Sequence, residues 1–461
     1  MAMRCDTLQR IHPPLSLMKL MTTAKGSAMF AKRLVLSLAL LGMFFVGPPA
    51  WAQQAAPASE TSRIVFNTLL FLLSGMVVMF MAAGFCMLEV GMARAKNAAT
   101  ICLKNITLFS IAGLMVWLTG YNLIYGVEPG GFLGKFGPWS ANDVDVLNTG
   151  HAASSDWYFQ MVFVATAALI VSGTLAERIR LWPFLIFVVC LTGIIYPIQA
   201  SWVWGKGYLA AEWGFADFAG STLVHATGGW AALAGTLVLG PRLGRFDSGR
   251  PTPLPGSNLP LATLGTFILW LGWFGFNGGS RLALGTVEDA ISVANVIVNT
   301  NMAACGGVIT ATLMTAFIYR KIDLTIVLNS AIGGLVAITA DPLNPAIWQA
   351  VLIGGIGGVI VTMAIQLLDR LKIDDVVGAI PAHLCCGIWG TLIVPWTNSD
   401  ASLPGQLVGV LVNGAFVFCM SMAIWIALQY SIGIRASDTD ENLGLDRAEF
   451  GQEAYPEFAS R

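Results

Sequence analysis

Apolar residues fall into eleven runs along this chain, with polar residues gathered in the breaks between them. The runs cover 64–88, 106–125, 157–175, 183–204 and 218–239, then 259–276, 290–319, 325–340, 346–368 and 376–395, and finally 405–432. A helix needs about 20 apolar residues to cross a hydrocarbon core, so the pattern predicts an all-α polytopic membrane protein with eleven transmembrane helices. None of the runs contains Asp, Glu, Lys or Arg, yet two carry a histidine: His225 in STLVHATGGW and His383 in VVGAIPAHLCCGIWG. An ionisable group inside a span is expensive and marks a pathway or a site.

The break GPRLGRFDSGRPTPLPGSN at 240–258 divides the first ten runs into two sets of five. The two histidines lie on the fifth and tenth runs, the matching position in each set. An odd number of spans per set turns the second upside down relative to the first. The expected architecture is therefore an inverted 5+5 repeat plus a final helix, an arrangement that builds transporters with a site near the midplane. A faint echo supports it: His225-x-x-x-Gly229 and His383-x-x-x-Gly387 are each followed by a tryptophan (Trp230, Trp389) and by GTL at 235–237 and 390–392.

Composition agrees with a membrane class. The 461 residues are 56% hydrophobic and 11% charged, with a mean hydropathy of +0.71, where soluble domains carry about 25% charged residues. Fifty glycines suit close helix packing in lipid. A net charge of −1 provides no basic footprint, which excludes nucleic acid as an expected partner. The cysteines sit mostly in apolar runs as packing residues. A zinc centre needs three or four ligands, and the spans offer only the two histidines, so no metal or other cofactor is expected. No nucleophile motif accompanies them, and the chain does not read as an enzyme.

Charge placement sets the expected topology. Lys32 and Arg33 precede the apolar stretch Leu34–Val46, and Ala50-Trp51-Ala52 forms a cleavage site. Residues 1–52 thus read as a signal peptide with an upstream extension, 53–434 as the transport domain, and 435–461 as a cytoplasmic tail. With Gln53 outside, fifteen basic residues fall inside, including Arg94, Lys96, Lys104, Arg178, Arg242 and Arg435, and only Arg63, Lys135, Lys206 and Arg281 fall outside. Basic residues collect on the cytoplasmic side, so the two signals agree.

Six motifs, in order, then carry a resemblance: RAKN (94–97), LAERIR (175–180), DFAGSTLVH (217–225), WFGFNGGS (273–280), DD…H…CGIWG (374–390) and GLD…AY (444–455). From about Thr68 to Tyr455 the chain resembles an ammonium transporter of the Amt/Mep/Rh superfamily, of bacterial Amt type. A pore for a small cation has to replace the ion's water, and aromatic faces do so through cation–π attraction of about 0.5–2 kcal/mol per ring. Phe163 on the third run, Trp204 at the outer end of the fourth and Ser280 at the outer end of the sixth are placed for this. The resemblance implies that these three, with Phe159 one turn away, form an external recruitment site. Thr339 matches a polar vestibule position, and Phe163 and Phe276 match a pair of stacked gating rings.

His225 and His383 lie deeper in the conduit. Imidazole is neutral near pH 7 while offering both a donor and an acceptor, so a pair can relay a proton or bind ammonia without trapping charge. Asp217 precedes the fifth run, where an Asp caps helix amides; the family's matching residue supports the recruitment site indirectly. The chain departs from the family at Leu384, directly after the second histidine, with Pro381 two residues before it, and in the tail at Phe450 and Gln452. The tail still resembles the element that binds PII-type signalling proteins.

The resemblance further implies a homotrimer with one pore per subunit, in the bacterial inner membrane. Its substrate would be ammonium or ammonia for nitrogen uptake. The alternative is an ammonium sensor that transports weakly. It would expect a signalling domain after Ile434, where the chain has only the tail at 435–461.

Overall fold

The computed structural model describes residues 59–458; the expected signal segment, 1–52, lies outside them. Nine of the described helices are long and apolar enough to cross a membrane: α1 (Glu60–Met92), α2 (Ala95–Tyr125), α3 (Ala153–Thr174), α4 (Leu181–Ser201), α5 (Ser221–Leu239), α6 (Leu259–Gly279), α7 (Val287–Tyr319), α9 (Ile347–Arg370) and α11 (Leu403–Ser431). Two shorter apolar helices, α8 (Leu324–Ile338) and α10 (Ile380–Trp396), occupy the eighth and tenth positions in the order. The order and approximate limits match the eleven predicted runs, and no strand occurs among the described residues.

Side chains of the preceding residues start several helices. Ser59, Asn258, Thr286, Asp323 and Ser402 accept hydrogen bonds from first-turn amides of α1, α6, α7, α8 and α11, which satisfies donors that the helix leaves free. The outward face of α1 carries Phe66, Leu69, Leu73, Met76 and Phe80, all exposed. An apolar exterior of this kind is at home in hydrocarbon rather than water. Inside the fold, glycines let backbones touch: a Cβ on Gly354 of α9 would fall 1.9 Å from the Ala303 carbonyl oxygen on α7.

Helices α1 and α2 extend well past their predicted limits and take in buried charges. Helix α1 runs to Met92 and includes Glu89; α2 begins at Ala95 and includes Lys104. Both residues are 1% exposed. The hydropathy pattern stops at a charge, but the backbone does not, because these charges face protein partners instead of lipid.

Helices α5 and α10 carry the histidines, and each begins with one wide turn, Ser221–Ala226 and Ile380–Cys385. In α5 this shows as the His225 amide reaching back five residues to the Gly220 carbonyl at 3.0 Å. Such turns are frequent at functional sites, because they re-aim side chains and free a carbonyl. Here the Leu223 carbonyl accepts from Gln199 Nε2 at 2.8 Å. Pro381 falls at the start of the wide turn in α10, where its missing N–H costs little, so it opens this helix without breaking it.

Candidate functional site

A file of aromatic rings leads to the histidines. Trp204 meets Phe163 edge-on, with centroids 5.9 Å apart, and Phe159 meets Phe163 likewise at 4.8 Å. Phe163 stacks on Phe276 at 4.0 Å and 27°. Phe276 lies 5.2 Å from the His225 ring, and His225 lies 5.3 Å from His383. Phe85 continues the file beyond His383 at 5.9 Å. Helices α3, α5, α6, α10 and α1 contribute to it, with Trp204 from the turn that follows α4. Phe159, Phe163, Phe276, His225 and His383 are all at most 2% exposed.

The imidazoles face each other through Nδ1, 3.4 Å apart, which is long for a hydrogen bond but still within reach. Sharing one proton there makes one ring the donor and the other the acceptor. His225 Nε2 is buried without any partner. Trp273 stacks beside His225 at 4.9 Å and spans toward His383 at 6.4 Å, so the rings are held flat between neighbours.

The two glycines of the sequence echo hold this pair together. A Cβ on Gly229 would lie 2.6 Å from the Cβ of Leu384 and 2.8 Å from its amide nitrogen. A Cβ on Gly387 would lie 2.3 Å from the Ser221 carbonyl oxygen. Each glycine thus seats the wide turn that carries the other half's histidine. Leu384, the departure from the family pattern, is the residue that fills the space over Gly229.

Asp217 is spent on backbone. Its Oδ1 accepts from Gly220 and Ser221 amides at 2.9 and 2.8 Å, and its Oδ2 from Thr222 and Leu223 at 2.8 and 2.9 Å. Burial pushes the carboxyl above its ordinary value, and the four amide hydrogen bonds offset only part of that rise. Its carbonyl accepts from Trp204 Nε1 at 3.0 Å, which fixes the indole. Ser280 follows α6 and donates to the Phe276 carbonyl at 2.8 Å, leaving its oxygen lone pairs available. The Thr339 hydroxyl donates to the Leu335 carbonyl and accepts from Trp273 Nε1, both within the buried interior.

Sequence reasoning missed the counterpart of Asp217. Asp375 accepts from the amides of Gly378 and Ile380 ahead of α10, as Asp217 does ahead of α5. Gly220 and Gly378 both take left-handed backbone, φ +103° and +79°, which glycine alone adopts without strain. The signal was in the sequence: Asp-x-x-Gly-x-x-x-x-His occurs at 217–225 and again at 375–383.

Several of the motifs behind the resemblance converge at the end of the bundle that carries the basic residues. Arg242 binds Glu177 at 2.9 Å and Asp374 at 2.8 Å, while Arg94 also pairs with Glu177. Arg178 donates to the Asp374 carbonyl at 2.7 Å. The tail docks here through α12 (Asp438–Leu443) and α13 (Leu445–Phe450). Asp446 accepts from the Ala99 and Thr100 amides of α2, and Glu449 from the Leu181 amide of α4. Tail carboxylates therefore cap two of the long helices.

A buried aromatic file ending in paired imidazoles, inside a bundle of apolar helices, defines a membrane conduit for a small polar solute. The sequence profile of the Ammonium Transporter Family matches residues 69–455. Ammonium transporter Amt2 of Archaeoglobus fulgidus is 41% identical over 435 residues, 88% of this chain and 91% of its own. A protein described as a sensor Amt protein superposes with a TM-score of 0.80 at 34% identity, over 85% of this chain and 100% of its own. Mep2 of Candida albicans superposes with a TM-score of 0.76 at 26% identity, over 87% and 92%. The chain belongs to the ammonium transporter family.

Proposed function

We propose that this protein moves ammonium or ammonia across a membrane by recruiting the cation at Phe163, Trp204 and Ser280, removing a proton, and conducting ammonia past His225 and His383. The observation that carries this reading is the unbroken file from Trp204 to the histidine pair. Aromatic faces replace part of the ion's hydration, Ser280 supplies an acceptor, and Phe159 completes the cup. The Phe163–Phe276 stack closes the path at rest, so the rings swing aside for each passage and keep water out between passages.

Below the rings a bare cation has no carboxylate to meet, because Asp217 is turned to amides. The proton therefore leaves. His225 Nε2, which is unpartnered, is the acceptor nearest the gate, and Nδ1 to Nδ1 is the route to His383. Thr339 contributes by orienting Trp273 beside the histidines.

In the same reading Gln53 lies outside and Arg435 inside, as the basic asymmetry supports. The mature chain starts at 53 and works as a homotrimer in a bacterial inner membrane. Its docked tail offers a surface to a PII-type regulator. The sensor alternative draws on one structural relative described as a sensor. Sequence relatives such as Amt2 of Archaeoglobus fulgidus and Amt1 of Haloferax mediterranei are named transporters, and transport is the reading they favour.

The test is current and nitrogen uptake in proteoliposomes after an ammonium jump, in the wild type and in His225→Asp and His383→Asp. Ammonium-driven uptake is expected in the wild type. Each Asp variant is expected to lose uptake or to admit potassium, because a fixed carboxylate holds a cation in the pore. Wild-type uptake and selectivity in both variants would reduce the pair to a helix brace.

A further inference from the structure

Beyond the histidine pair lies a buried carboxylate that the conduction path does not use. Glu89 stands three residues before the end of α1 and is 1% exposed. Its Oε2 accepts from Ser172 Oγ at 2.8 Å and from Asn105 Nδ2 at 3.2 Å. Its Oε1 is buried and has no partner. A buried oxygen of this kind is costly to leave unpaired, and it calls for a partner.

The carboxylate has a specific neighbour. A narrow cavity with room for about one water molecule has both His383 and Glu89 in its wall, along with Phe85 and Asn329. Gly173 keeps it open, since a Cβ there would lie 3.1 Å from the Glu89 Cγ and 2.6 Å from Val377. Lys104, also buried, donates to the Ser172 carbonyl at 3.1 Å. A single serine thus links the carboxylate to a cation of opposite sign, which lets the carboxylate stay ionised until a proton arrives.

We propose that Glu89 accepts the proton that the histidine pair removes from ammonium, one water beyond His383. The proposal rests on the transport reading above. The N–H bond of ammonium breaks at His225 and the proton binds its Nε2, while the Nδ1 proton passes to His383. A proton then leaves His383 through the cavity water and forms the O–H bond of Glu89. Ammonia, carrying the nitrogen lone pair, travels the apolar path separately. Glu89 releases its proton to water at the Arg94 end of α1, and ammonia takes one from water on that side, so one nitrogen and one positive charge cross per cycle.

The experiment measures charge moved and nitrogen taken up in the same proteoliposomes, for the wild type and Glu89→Gln. Glutamine keeps the shape and accepts the same hydrogen bonds but cannot take the proton. Current per folded protein is expected to fall at least about tenfold, a modest share of what a positioned acid or base contributes, with ammonia uptake retained. Wild-type current in Glu89→Gln overturns the proposal. Should that variant not fold, Glu89→Asp replaces it: current several-fold lower at unchanged uptake supports the assignment, and unchanged current overturns it. Wild-type uptake without any current overturns the role of Glu89 and leaves transport standing. No ammonium-driven uptake in the wild type overturns the transport reading itself.

Discussion

Side chains in the conduit divide by whether their polar atoms are already spent. The polar side-chain atoms of Asp217 and Thr339 are satisfied by backbone groups and, for Thr339, by Trp273. His225 Nε2, Glu89 Oε1 and the outer lone pairs of Ser280 remain available. At the mouth, Trp204 is fixed by the Asp217 carbonyl with its ring against Phe163. Trp204→Leu removes one cation–π face and should raise the half-saturating ammonium concentration by roughly twofold to thirtyfold. Concentration-dependent currents check this, and an unchanged half-saturation takes Trp204 out of the recruitment site.

At the scale of elements, the design problem is to bring two helices close enough for their histidines to share a proton. Helices α5 and α10 solve it twice over with the same parts: an Asp cap, a left-handed glycine, a wide turn bearing the histidine, and a second glycine four residues on. The contact is tight at Gly229, where the nearest atoms belong to Leu384. Gly229→Ala forces the helices apart at a cost of about 1–3 kcal/mol, the usual range for overpacking. The melting temperature of the purified protein should drop and the ammonium current should fall with it. A variant that melts and conducts like the wild type would show that the spacing of α5 and α10 is not set there.

Across the whole molecule, the ends of the long helices are tied together by charge. Asp374 is buried, which opposes its ionisation, but hydrogen bonds from Arg242 and the charges of Arg178 and Arg242 outweigh this and hold its carboxyl well below the usual range. A carboxyl depressed on folding stabilises fully above its unfolded value of about 4 and loses that contribution as pH falls through the folded value. Thermal stability should therefore decline on acidification below about pH 4. In Asp374→Asn the protein should be less stable near neutrality, by about 3–5 kcal/mol for a broken buried pair, with a flatter acid limb. Melting curves between neutral and acid pH decide it; an equally steep acid limb in the variant would place the sensitivity elsewhere.

The sequence by itself determined the all-α class and the order of the apolar helices, the two histidines as matching outliers, and a list of aromatic candidates. Long apolar runs and a polar atom inside one are local, one-dimensional properties, and hydropathy reads them directly. It did not determine where α1 ends and α2 begins, because hydropathy treats every charge as facing lipid, whereas Glu89 and Lys104 meet Ser172 from a third helix. Nor could it pair Asp375 with its amides across a left-handed turn, turn Thr339 toward Trp273, or dock Asp446 on an amide more than three hundred residues earlier. Those outcomes were decided only by tertiary structure, since each depends on which polar atoms find partners once distant helices are packed together.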